Sequence, residues 1–118
     1  MKKKIMVVDD DPGIVRLLTV LLEKWGYEVT NSRDGLDCIS VVEYEKPDLV
    51  LLDVMMPGLD GMSVCSEITT SYNIPVIIIS GIKKEKGEEE SQVFGACEFV
   101  PKPIDSEELK SKLQKALQ

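Results

Sequence analysis

Acidic, hydroxyl and ammonium side chains stand in this sequence where short apolar runs stop. Asp9 and Asp10 follow Ile5-Met6-Val7-Val8, and Asp53 follows Leu49-Val50-Leu51-Leu52. Ser80 closes the run Ile74 to Ile79, and Lys102 lies just past Glu98-Phe99-Val100. Carboxylates gathered without a counter-charge repel one another and raise each other's pKa. A hard dication such as Mg²⁺ (or Mn²⁺) removes that repulsion, binding one or two carboxylates and keeping several waters. An ammonium from Lys102 and a hydroxyl from Ser80 complete what three phosphoryl oxygens require for charge neutralisation. The carboxylate itself is then a candidate nucleophile, because aspartyl phosphates are a known class of covalent intermediate. Each residue also has a plainer use. Asp9 or Asp10 alone serves as a turn or cap residue, and Asp53 before Pro57-Gly58 as a turn residue. Ser80-Gly81 alone reads as a loop, and Lys102 as a surface charge. Their shared position at strand ends favours the chemical reading.

The elements that must place these groups alternate. After the first strand, Asp11-Pro12 reads as an N-cap and a proline at the first helical position. Ile14, Leu17, Leu18, Leu21 and Leu22 recur at helical spacing, Trp25 follows, and Gly26 supplies the stop. A second strand is expected over Tyr27–Thr30 and a helix from about Asp34 to Glu45, ended by Pro47. The Pro57-Gly58 loop leads to a helix from about Asp60 to Ser71. The stretch Lys83 to Val93 is strongly charged and contains Gly87, so its helix is expected to be short, displaced or mobile. Asp105-Ser106-Glu107-Glu108 resembles a capping box opening a last helix, with Leu109, Leu113, Ala116 and Leu117 on one face.

Five such βα units predict an α/β fold, a doubly wound five-stranded parallel sheet with helices on both faces. If the acids ending strands one and three are to meet, those strands must be neighbours. Pro101 cannot donate to a ladder and belongs at an edge or strand end. The resulting order is the flavodoxin-like 2-1-3-4-5, with its crevice between strands one and three.

Composition narrows the function. The 118 residues amount to one domain, 1–118, with a formal net charge of −7. That charge argues against direct nucleic-acid binding and against anionic membranes. Histidine is absent, which removes Ser-His-Asp and Cys-His nucleophile systems and any histidine-ligated metal. Cys38, Cys65 and Cys97 are sparse and form no C-x-x-C pair, as expected for buried thiols in a reducing cytoplasm. No apolar run approaches membrane-spanning length, and the charged start lacks a signal peptide's apolar region.

The chain as a whole resembles receiver domains of two-component response regulators. The resemblance is carried by Val7-Val8-Asp9-Asp10-Asp11-Pro12, by Leu52-Asp53-Val54-Met55-Met56-Pro57-Gly58-Leu59-Asp60-Gly61 and by Ile74-Pro75-Val76-Ile77. Ile79-Ser80-Gly81, Gly95-Ala96 and Lys102-Pro103 complete the set. The resemblance implies that Asp53 accepts a phosphoryl group from a phosphohistidine on a histidine kinase or histidine phosphotransfer protein. It implies direct metal ligation by Asp10, Asp53 and the backbone carbonyl of Met55, with Asp9 acting largely through water. Lys102 would pair with the phosphoryl group, Ser80 would hydrogen-bond to it, Phe99 would be the switch aromatic, and Lys102-Pro103 would be cis. Residues two positions after the phosphoacceptor and the hydroxyl residue, Met55 and Ile82, would shape access of the hydrolytic water. Both are apolar, so dephosphorylation is expected to be slow. The first helix, around Ile14, Val15 and Leu18, is expected to present apolar surface to the kinase.

Some positions depart from the commonest family pattern. Ser80 and Gly81 replace threonine and alanine, Phe99 stands where tyrosine is frequent, and Pro101 precedes Lys102. The expected protein is a signalling switch, not an enzyme. It is expected to carry no output domain in the chain and to act as a monomer or weak dimer on a downstream protein target. Two other classes fit less well. An aspartate-nucleophile phosphohydrolase needs a second carboxylate closely after the first, where Val54 and Met55 stand. A flavodoxin-like cofactor binder needs a hydroxyl- and glycine-rich phosphate loop after strand one, where three acids stand instead.

Overall fold

The computed structural model describes residues 2–32, 37–56, 60–82, 84–93, 95–96 and 98–118. In chain order the elements are β1 (Lys4–Val8), α1 (Pro12–Lys24), β2 (Glu28–Ser32), α2 (Cys38–Glu45) and β3 (Leu49–Leu52). They continue as α3 (Gly61–Ser71), β4 (Val76–Ser80), α4 (Lys84–Val93), β5 (Glu98–Pro101) and α5 (Ser106–Ala116). The strands form one parallel sheet in the order β2-β1-β3-β4-β5, as expected from the placement of the acids.

Side chains alternate across each strand, and the core divides accordingly. Ile5, Val7, Leu49, Leu51, Ile77, Ile79 and Val100 face Val15, Leu18 and Leu22 of α1 and Leu109 and Leu113 of α5. Met6, Val8, Val50, Leu52, Val76, Ile78 and Phe99 face α2 and α3. β1, β3 and β4 are apolar through Ile5–Val8, Leu49–Leu52 and Val76–Ile79, where both of their faces are covered. β2 is an edge strand and runs two residues past its expected end, through polar Asn31 and Ser32.

Local signals account for most element ends. The Asp11 carboxylate accepts the Gly13 N–H at 2.9 Å, and Pro12 opens α1 as expected. Gly26 takes φ 95°, the left-handed stop. Asp105 caps α5 by accepting from the N–H groups of Glu107 and Glu108. Lys46 ends α2 in the left-handed region, φ 50°, directly before Pro47. The expected start of α2 at Asp34 and the Pro57-Gly58 loop lie outside the described residues, as does Cys97. Cys38 and Cys65 are buried free thiols; burial, and then Glu67, pushes Cys38 up to about 11. α4 is a continuous ten-residue helix through Gly87, which corrects the expectation of a short one.

Candidate functional site

The parallel register places the site. Val8 of β1 is level with Leu52 of β3, and the Asp53 N–H donates to the Val8 carbonyl at 2.9 Å. The carboxylates one residue past each strand are thereby brought side by side at the carboxyl end of the sheet, where ligands bind in open parallel folds. Asp9 is 2% exposed and Asp53 is 5% exposed, while Asp10 faces solvent. After Asp53 the chain passes against the start of α3. A β-carbon at Gly61 would lie 2.5 Å from the Val54 Cα, so only glycine permits that approach.

Asp9 and Asp53 are held in matching ways. In each, Oδ1 accepts a backbone N–H from two residues on, that of Asp11 or of Met55, both at 2.9 Å. In each, Oδ2 accepts from Lys102 Nζ at 3.1 Å. Lys102 reaches both from the end of β5. Pro101, last in that edge strand, is level with Ser80, and the Lys102 N–H continues the ladder to the Ser80 carbonyl at 2.8 Å. The Lys102-Pro103 bond is cis.

Burial raises the Asp9 carboxyl above its ordinary value and Asp53 pushes it further. The Asp11 N–H and Lys102 oppose this. For Lys102 desolvation acts downward, but the two aspartates outweigh it and lift the ammonium above its ordinary value. It is therefore charged throughout the neutral range. One ligand oxygen from each of Asp9, Asp10 and Asp53 lies within 4.8 Å of the others. An all-oxygen, net negative donor set of that size fits a hard cation.

The other expected residues lie on β4, on β5 and in the segments that follow β3 and β4. Ser80 is fully buried, and its Oγ accepts the Ile82 N–H at 3.4 Å. Phe99 is buried on the α2–α3 face, three residues before Lys102. Met55 stands 59% exposed, and Ile82 is partly buried against the core. The expectation for α1 needs correction. Val15 and Leu18 are buried in the core, and the apolar surface is offered by Leu17 and Val20, 45% and 59% exposed. One participant was not anticipated: Lys112 Nζ donates to the Phe99 carbonyl at 2.6 Å and pairs with Glu108. Only its i,i+4 spacing from Glu108 was visible beforehand.

The model for the response regulator receiver domain matches residues 5–114. The BeF3-activated N-terminal receiver domain of Klebsiella pneumoniae RstA is 31% identical with a TM-score of 0.91, covering 98% of this chain and 99% of that one. The N-terminal domain of the nisin resistance regulator NsrR, a lantibiotic response regulator, is 30% identical with a TM-score of 0.90, and both chains are covered completely, at 100% and 100%. A receiver domain protein (CheY-like) from Methanospirillum hungatei JF-1 is 25% identical with a TM-score of 0.90, covering 99% of this chain and 94% of that one. Sheet order, the acidic crevice with its lysine and these similarities agree: the chain belongs to the response regulator receiver domain family of two-component signalling.

Proposed function

We propose that Asp53 takes a phosphoryl group from a phosphohistidine on a histidine kinase or histidine phosphotransfer protein, and that the resulting state signals to a downstream protein target. The observation that carries this reading is the buried Asp53 carboxylate, 3.1 Å from the Lys102 ammonium and grouped with Asp9 and Asp10. An Asp53 oxygen attacks phosphorus, the P–N bond breaks, and its electron pair returns to the imidazole, which takes up a proton from solvent. Asp10, Asp53 and the Met55 carbonyl would hold Mg²⁺ (or Mn²⁺) directly and Asp9 through water. When bound, the metal supplies charge neutralisation for the phosphoryl oxygens. Lys102 contributes its ammonium to the same oxygens, and Ser80 donates its hydroxyl once they are present. Phe99 is the aromatic that responds.

The protein is on this reading a switch that assists its own phosphorylation and slow dephosphorylation. Met55 and Ile82 give an attacking water no hydrogen bond, which favours a long-lived state. Leu17 and Val20 of α1 are the surface proposed to meet the phosphodonor. No helix among the described residues is long and apolar enough to cross a membrane. We place the protein in the cytoplasm, as a monomer or weak dimer without direct nucleic-acid contact.

The test is incubation with acetyl phosphate and Mg²⁺, read by intact mass. The wild type is expected to gain one phosphoryl group, and Asp53→Asn, Asp10→Ala or chelation of the metal to abolish the gain. Lys102→Ala is expected to keep uptake in part while losing the conformational response. Uptake by Asp53→Asn equal to wild type would overturn the assignment.

A further inference from the structure

α4 is fastened to the sheet without an apolar side chain of its own. Its single large apolar residue, Val93, is 74% exposed. Among its described positions only Gly87 and Ser91 are buried, one helical turn apart. Beneath Gly87 lies the Phe99 ring. A β-carbon at position 87 would stand 2.3 Å from Phe99 Cζ, 2.4 Å from Cε2 and 2.8 Å from Cε1, so with a methyl group there either the ring or the helix must shift. The Ser91 hydroxyl is buried with no hydrogen-bond partner among the described residues. Ser91 and Phe99, with Gln92 and Ala96, line a small cleft of about 80 Å³ beside it. The helix rests on a ring edge and a glycine.

Phe99 shares β5 with the approach to Lys102 of the carboxylate centre. Its carbonyl accepts from Lys112 Nζ at 2.6 Å. Three residues on, Lys102 is bonded through its N–H to the Ser80 carbonyl and through Nζ to Asp9 and Asp53. A glycine inside a helix is unfavourable relative to alanine. Here the close approach of the ring compensates for it.

We propose that Gly87 is a positioning residue: the space left by its missing side chain is the socket for the Phe99 ring, and α4 responds to the state of Asp53 according to how the ring fills that socket. The second half rests on the phosphoacceptor reading of Asp53; the socket itself does not. Packed contacts of this kind have discrete arrangements and do not deform continuously, so a ring either seats under position 87 or displaces the helix.

The experiment compares wild type, Gly87→Ala, Phe99→Leu and the double variant by thermal melting, intact-mass phosphorylation with acetyl phosphate and Mg²⁺, and amide hydrogen exchange in α4. A merely helical role predicts that Gly87→Ala raises the melting temperature. The socket predicts a fall of about 3 °C or more, with the double variant more stable than the two single effects sum to, because leucine lacks the atoms the new methyl would meet. Gly87→Ala is expected to take up phosphoryl to the wild-type extent while losing the phosphorylation-dependent change in α4 exchange. A raised melting temperature, additive single effects, or an α4 exchange response like wild type would each overturn the proposal. If Gly87→Ala does not fold, folding of the double variant supports the socket and its failure to fold overturns it. Absence of uptake by wild type would sink the phosphoacceptor reading alone, since the melting comparison still judges the socket.

Discussion

α4 and α5 cover opposite faces of the same sheet, and both are rich in charged residues, yet they are anchored by opposite means. α5 buries Leu109 and Leu113 completely. Two leucines one turn apart contribute about 1.5–3 kcal/mol each relative to exposure. α4 buries Gly87 and Ser91 and receives its apolar contact from Phe99 of β5. A helix that brings its own leucines stays put whatever one sheet residue does. A helix seated on a residue of the sheet depends on that residue.

The largest expected effect on this contrast is at α5. Leu113→Ala should destabilise the protein by about 2–5 kcal/mol in urea unfolding, and a loss below about 1 kcal/mol would mean α5 is not held by its leucines. Next, amide exchange should find α4 opening locally, its amides exchanging about 10²-fold faster than the protected amides of α5. Equal protection would dissolve the comparison. A smaller effect concerns lysines in i,i+4 pairs on each helix. Lys112 donates to Glu108 at 3.0 Å and to the Phe99 carbonyl, so Lys112→Ala should cost about 1 kcal/mol. Lys86 meets Glu90 only at 3.9 Å with 70% of its side chain exposed, and Lys86→Ala should change stability by less than about 0.5 kcal/mol. Similar costs at the two lysines, measured by the same unfolding titration, would show that α4 is more firmly tied than its burial indicates.

The same contrast explains what could be read in advance. Runs such as Leu49–Leu52 announce a strand covered on both faces, and acids at the ends of two such runs constrain which strands are neighbours. Asp11-Pro12 and Gly26 mark the ends of α1 because a cap and a left-handed stop are local events. Gly87 was misread because the sequence displays a glycine's own unfavourable helix propensity but not the ring, twelve positions downstream, that makes the glycine necessary. The α1 stripe has more apolar positions than one sheet face can cover. Spacing alone could not say that Leu17 and Val20 would be left outside while Val15 and Leu18 went in. Lys46 carries no local mark of its left-handed conformation; Pro47 foretells that α2 ends but not how. At the site, residue types named the carboxylates, the hydroxyl and the lysine. The matching grip of Asp11 and Met55 amides on Asp9 and Asp53 is a property of the backbone, invisible until the chain is folded.

The bond from the Lys102 N–H to the Ser80 carbonyl has a bearing on how this site can be altered. It joins two adjacent strand ends through main-chain atoms, so the roots of the hydroxyl and the ammonium share one rigid mount. Lengthening or replacing the segment after Ile82 leaves that mount in place. Exchanging serine for threonine or lysine for arginine changes reach and branching from the same two origins. The spacing of these groups is thus a dimension of the scaffold, and only their span is open to tuning by side-chain choice.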